Sequence, residues 1–210
     1  MHELRSDDMD AFFRALARKL PCRVKIIVTG GAEGLLLGST RPTRDIDFGI
    51  LLRAGPDEQA ATWEAVESAI MEAAEETGVT AQYAQDIDRW SSVAVPRYDL
   101  HTRFYRRFGC AYVHLLEPAY WAVYKLARYL DADVADLIAV LRTQGVPPRQ
   151  LAKVCGKALR SSPRSSSLFL FRRHVEHFFR EHGPAIWGQG FDPCRAIAAF
   201  HHAAGIQERP

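Results

Sequence analysis

The sequence predicts an α+β fold, a small mixed β-sheet of four or five strands with helices on one side, followed by a helical C-terminal region. Three observations carry that prediction. The apolar, β-branched run Val24–Val28 reads as a buried strand. Asp45–Leu52 and Val79–Ile87 read as further strands, and helical stretches separate the three. From Glu117-Pro118 onward helical spacing takes over, with prolines at helix starts and Gly145 at a helix end. The domain boundaries that follow are 1–116 for the α/β part and 117–210 for the helical part.

The first element is an amphipathic helix over Ser6–Leu20, with Ser6 or Asp7 as N-cap and Phe12, Phe13, Leu16 and Leu20 on one stripe. Pro21 stops it, and the strand Val24–Val28 follows. Thr29-Gly30-Gly31 breaks that strand, and Ala32–Gly38 reads as a short helix. A turn rich in Pro and Arg, Ser39–Arg44, leads into the strand Asp45–Leu52. Gly55-Pro56-Asp57 starts a second long helix that Gly78 closes. Its Glu58, Glu64, Glu67, Glu72, Glu75 and Glu76 form the wet face; Trp63, Val66 and Ile70 form the packed one. Val79–Ile87 is the third strand. Trp90–Tyr98 continues as a loop or edge strand, Phe104–Phe108 is aromatic and basic, and Ala111–Leu116 is a fourth strand. Helices follow at Pro118, around Asp133–Leu141, from Pro147-Pro148 to Leu159, and over Leu168–Glu181 and Asp192–Ala204. Arg160–Ser167 reads as a mobile loop of low complexity.

Composition narrows the class. A chain of 210 residues supports one good core, or a catalytic domain with a smaller companion. No apolar run approaches the ~20 residues of a membrane span, and the N-terminus lacks a signal-peptide pattern. Cys22, Cys110, Cys155 and Cys194 are scattered with no Cys-x-x-Cys pair, so a cytoplasmic protein with reduced thiols is expected. The net charge of +2 hides an asymmetry: residues 1–105 carry 12 Lys/Arg against 17 Asp/Glu, and residues 141–210 carry 11 against 4. Either a polyanionic substrate lies across both halves, or the basic residues merely solvate helix faces. His174 with His177, and His201 with His202, lack a third ligand nearby and make no zinc set.

Asp45 and Asp47 are the candidate chemistry. Alternate strand residues share a face, so the two carboxylates point one way while Ile46 and Phe48 point into apolar packing. Two such carboxylates repel unless a cation sits between them. Hard Mg²⁺ (or Mn²⁺) takes one or two carboxylates together with substrate phosphates. Gly30-Gly31, running into a helix, is the complementary half, because it lets phosphate oxygens approach backbone N–H groups.

Gly30-Gly31, thirteen intervening residues and Asp45-Ile46-Asp47 together resemble the signature of the polymerase-beta-like nucleotidyltransferase superfamily. Within it the chain is similar to small prokaryotic nucleotidyltransferase-like proteins, including toxin-type members of abortive-infection systems. The resemblance implies a nucleotidyltransferase core and a third carboxylate on a later strand, Asp86, with Asp88 as the reserve. The run KLARYLDADVADL resembles a Lys-x-x-Arg element followed by Asp-x-x-Asp in the toxin-like families. It implies that Lys125 contacts a nucleotide phosphate and that Asp136 or Asp133 orients Lys125 or Arg128; the alternative is an ordinary interhelical salt bridge.

The function so implied is metal-dependent transfer of a nucleotide from a nucleoside triphosphate to an acceptor hydroxyl on an RNA end, a protein or a small molecule. Asp45 and Asp47 hold the metal, Asp86 assists, Gly30 and Gly31 cradle the triphosphate, and Arg41, Arg44 and Lys125 neutralise it, Arg44 being the best placed. The alternative is a non-catalytic nucleotide-binding or interaction protein that keeps the fold. A third reading is one half of a toxin–antitoxin or phage-defence pair, with an antitoxin as partner. The helical region is expected to pack against the sheet, leaving the carboxylates in a cleft between the two.

Overall fold

A computed structural model describes residues 3–52 and 59–206, in two compact units. The first comprises the described residues up to Leu36 together with Arg41–Ile87 and Thr102–Leu116; the second comprises Leu37–Thr40, Asp88–His101 and the described residues from Glu117. The fold is α+β, with a five-stranded mixed sheet and eight α-helices among the described residues.

The sheet is organised around β1 (Val24–Thr29). It pairs antiparallel with β2 (Asp45–Leu52) on one side and parallel with β5 (Ala111–Leu116) on the other. Outside these lie β3 (Thr80–Ala84), parallel to β2, and β4 (Thr102–Phe108), antiparallel to β5. Ile26 and Ile27 point to opposite faces and both are fully buried, which is why this central strand reads as a continuous apolar run rather than an alternation. β4 is the fifth strand, and its sequence hid it. Arg103, Phe104, Arg106 and Arg107 are all exposed on it, so it has no apolar period. Such a charged surface also suits an edge strand, which must resist pairing with other chains.

α1 (Ser6–Lys19) lays its apolar stripe on one sheet face. Phe12 and Phe13 stand 5.3 Å apart, Phe48 lies 5.8 and 6.0 Å from them, and Phe108 lies 6.1 Å from Phe13. These tilted, edge and offset arrangements are the ones favoured by aromatic quadrupoles. The cap of α1 is not Ser6 or Asp7: Arg5 is the N-cap, and its backbone N–H donates to Asp8 Oδ2 at 2.8 Å. α2 is the short helix Gly30–Leu36, and α3 is Gln59–Thr77, closed by Gly78 at φ +67°. The expected start of α3 at Gly55-Pro56-Asp57, and Glu58 on its wet face, lie outside the described residues.

The second unit holds α4 (Pro118–Arg128), α5 (Asp131–Thr143), α6 (Pro148–Ser161), α7 (Ser166–Trp187) and α8 (Pro193–Ala204). Trp121, Leu137, Leu151, Phe171, Phe178 and Phe200 are fully buried in it. Trp90–Tyr98 takes the loop alternative rather than the edge strand, and two 3₁₀ turns, Ile87–Trp90 and Tyr98–Leu100, flank it. Half of the stretch Arg160–Ser167 is helix as well, with the loop confined to residues 162–165. α6 runs to Ser161 and α7 starts at Ser166, because the Ser162 hydroxyl donates back to the Ala158 carbonyl at 2.9 Å and finishes α6 in order.

α6 and α8 approach most closely at Gly156. A Cβ there would lie 2.5 Å from Ala203 Cβ and 2.7 Å from the Phe200 carbonyl oxygen. Helix propensity alone favours Ala over Gly by about 1 kcal/mol, whereas overpacking a tight contact costs typically ~1–3 kcal/mol. The overlap involves backbone and should win. Gly156→Ala is therefore expected to lower stability by about 1–2 kcal/mol in urea titration; a stabilised variant would mean that the two helices separate freely.

Candidate functional site

Asp45 and Asp47 open β2 with the predicted alternation: both are half-buried, while Ile46 and Phe48 are fully buried on the opposite face. The β1–β2 register sets Asp47 opposite Thr29, the last residue before Gly30. Gly30 then turns the chain at φ +67°, where L side chains are strained. A Cβ on Gly30 would fall 2.0 Å from Asp47 Oδ2, so the Asp47 carboxylate rests directly on the bare glycine backbone. A Cβ on Gly31 would fall 2.8 Å from Thr43 Oγ1 and 3.5 Å from an Arg41 guanidinium nitrogen.

Two neighbours fix Asp45. Thr43 Oγ1 donates to Oδ1 at 3.3 Å, and Gln82 Nε2 donates to Oδ2 at 2.7 Å. Thr43 is itself pinned by an isolated bridge to Leu4, whose N–H donates to the Thr43 carbonyl at 2.8 Å. Neither Thr43 nor Gln82 was read from the sequence as part of the site. Strand parity put Gln82 on one face with Thr80 and Ala84, and the β2–β3 register, which the sequence does not give, sets it opposite Asp47.

The same register moves Asp86 away. β3 ends at Ala84, about 7 Å down the sheet from Gln82 at ~3.3 Å per residue. Asp86 lies two residues further on, past the strand, so the position paired with Asp47 is held by the Gln82 amide. Asp88, the reserve, belongs to the second unit; it lies in the 3₁₀ turn Ile87–Trp90 and accepts from the Val95 N–H at 3.0 Å and from the Tyr124 hydroxyl at 2.6 Å. Arg44 is exposed just before β2, and Arg41 rather than Arg44 reaches the glycine corner. α2 also carries a fully buried carboxylate, Glu33.

The donor set fits a hard divalent cation of the Mg²⁺ type. Two carboxylates share one strand face, Asp47 against a backbone corner that a Cβ would fill, and such ions complete their shell with phosphate oxygens and water. Among the described residues no cluster of three or more His, Cys, Asp or Glu side chains could hold a metal by itself.

Lys125 belongs to the second unit and is engaged there. Its ammonium donates to Asp133 Oδ1 at 3.1 Å and Asp136 Oδ2 at 2.8 Å, and all three side chains are buried. Arg128 adds two bonds to Asp133 at 2.8 and 2.6 Å, and the Ser39 hydroxyl donates to Asp136 at 2.6 Å. The Lys-x-x-Arg and Asp-x-x-Asp spacings thus close on each other as a buried ion cluster, the salt-bridge alternative raised by the sequence. The histidines are similarly occupied in packing, with His201 Nε2 2.7 Å from Glu176 Oε1 and His174 Nδ1 3.0 Å from the Leu126 carbonyl.

Comparison of the chain with protein-family models, curated proteins and solved structures finds no match.

Burial by itself would push the Asp133 carboxyl up; the hydrogen bonds and charges of Arg128 and Lys125 outweigh it and leave it below its ordinary value of 3.8. A depressed carboxyl stabilises above the unfolded pKa and loses that contribution as pH falls through the folded one. Lys125→Met leaves two buried carboxylates without their ammonium and should cost about 3–5 kcal/mol at pH 7. The gap to wild type should narrow on acidification, since protonation weakens the wild-type cluster and relieves the variant. Denaturation midpoints measured between pH 7 and about 3 check this; a constant gap would mean that the cluster is not ionic.

Proposed function

We propose that the chain is a divalent-metal-dependent nucleotidyltransferase, moving a nucleotide from a nucleoside triphosphate to an acceptor hydroxyl. The observation that carries this reading is the seating of the Asp47 carboxylate on Gly30, with Asp45 beside it on the same strand face. A metal site and a phosphate cradle would then share one corner.

Asp45 and Asp47 would hold Mg²⁺, which supplies Lewis-acid neutralisation of phosphate charge when bound. Thr43 and Gln82 occupy one oxygen each of Asp45 and hold its rotamer, so the carboxylate is set before substrate arrives. Gly30 and Gly31 carry no side chain, so a phosphate could come close to the backbone at this corner. Arg41 beside Gly31 brings a positive charge to that corner. Gln82 cannot accept a proton as a carboxylate would, so the acceptor hydroxyl must lose its proton to Asp45, Asp47 or solvent.

Gln82 also favours a second reading, a protein that binds a nucleotide with its metal and transfers nothing. Incubation with labelled nucleoside triphosphates, Mg²⁺ and total RNA or total protein separates the two. Transfer is expected from wild type and should fall by about 10³-fold in Asp47→Asn, the equivalent of ~4 kcal/mol of lost charge stabilisation. Tight binding without transfer in both proteins would establish the second reading. Growth arrest on expression, relieved by Asp45→Ala, would assign the enzyme to a toxin or phage-defence pair.

A further inference from the structure

At the other end of β1, on the same sheet face as Asp47, cations and aromatic rings interleave. The alternation Lys25, Ile27, Thr29 lies opposite Leu51, Gly49 and Asp47 on β2 and beside Tyr112 and His114 on β5. Lys25 is four residues from Thr29, about 13 Å along the strand. Arg23, Lys25, Tyr112 and His114 line a shallow pocket of about 300 Å³, and among the described residues no carboxylate lines it. The edge strand extends the surface, because the β4–β5 register sets Arg107 opposite Tyr112 and Phe104 opposite His114.

The groups are held in place. The Arg23 and Arg107 guanidiniums lie 5.3 and 5.1 Å from the Tyr112 ring centre, and Arg107 Nε donates to the Gly109 carbonyl at 2.8 Å. One tyrosine therefore orients two guanidiniums. His114 approaches the Thr102 hydroxyl at 3.3 Å and meets the Phe104 ring edge-on at 5.6 Å, yet Phe104 stays 60% exposed. An exposed phenylalanine on an edge strand costs solvation unless something flat covers it.

We propose that this face binds single-stranded nucleic acid, with Arg23, Lys25 and Arg107 on phosphates and Phe104 stacking on a base. A cationic surface selects a polyanion, and fixed guanidinium planes beside an open ring are the chemistry that separates single strands from other polyanions, since every unpaired base offers a π-face. A folded acidic protein offers the charge without the stacking, and a duplex hides its bases. The proposal stands whether or not Asp45 and Asp47 transfer a nucleotide. If they do, it names the acceptor class.

Fluorescence anisotropy with a labelled oligouridylate of about 12 nucleotides tests it. Wild type is expected to bind with a log–log salt slope of about −2, as −0.7 per neutralised phosphate implies for three cations. Arg23→Gln with Arg107→Gln should weaken binding at least tenfold and flatten the slope to about −0.7. Phe104→Ser should weaken it about tenfold with the slope unchanged, and Phe104→Tyr should bind as wild type. Thermal melting of each variant confirms that these surface changes leave the fold intact. Absence of binding at low salt, equal binding of duplex, displacement by polyglutamate as efficient as by RNA, or indifference to both sets of variants would each overturn the proposal. Binding without nucleotide transfer would uphold it while removing only the enzymatic reading.

Discussion

The contact between Asp47 and Gly30 is the constraint on which the site depends. It requires the β1–β2 register, because only the pairing of Thr29 with Asp47 brings the end of one strand to the start of the other. It requires a glycine for two separate reasons, the positive φ and the 2.0 Å approach. A one-residue slip of β2 would turn both carboxylates into the aromatic core of Phe12, Phe13 and Phe108 and bring Phe48 out. The apolar face thus enforces the polar one. Burying Ile46, Phe48 and Ile50 fixes the register more strongly than two repelling carboxylates could on their own.

The two polar clusters of the chain differ in what their surroundings allow. Lys125, Asp133 and Asp136 are withdrawn from water and satisfied by one another, an arrangement that specifies a geometry and leaves little capacity for a ligand. Asp45 and Asp47 are half-buried, and the donors on Asp45 come from a hydroxyl and an amide rather than from cations. Neutral donors orient a carboxylate without cancelling its charge. A metal-binding carboxylate needs that combination of fixed direction and remaining charge.

Much of this was legible in the sequence, and the failures have physical causes. β1, β2, β5 and the helices were readable because each carries an apolar period tied to a buried face. Gly30, Gly31, Asp45 and Asp47 were readable because their spacing encodes a strand, a corner and a strand. β4 was missed because an edge strand with four exposed arginine and phenylalanine residues has no apolar period to detect. Asp86 rested on the resemblance and on strand parity; parity gives the face but not the position along it, and the position opposite Asp47 is Gln82. The spacing of Lys125, Arg128, Asp133 and Asp136 fits a closed ion cluster as well as an open site. Nothing short of burial distinguishes the two.

Charge counted along the sequence does not say which charges share a surface. Counted by halves, the first part of the chain is acidic and the last part basic, which points any polyanion towards the C-terminal helices. Yet five of the acidic residues of the first half lie on α3, while Arg23, Lys25 and Arg107 gather on a sheet face whose pocket, among the described residues, is lined by no carboxylate. A field is set by which charges share a surface, and screening over about 10 Å discards the rest of the sum. β pairing is what brings residues 23–25 beside residues 107–112, across more than eighty positions of chain. The sheet that holds the carboxylates therefore also assembles the cations, and no running count along the sequence could have joined them.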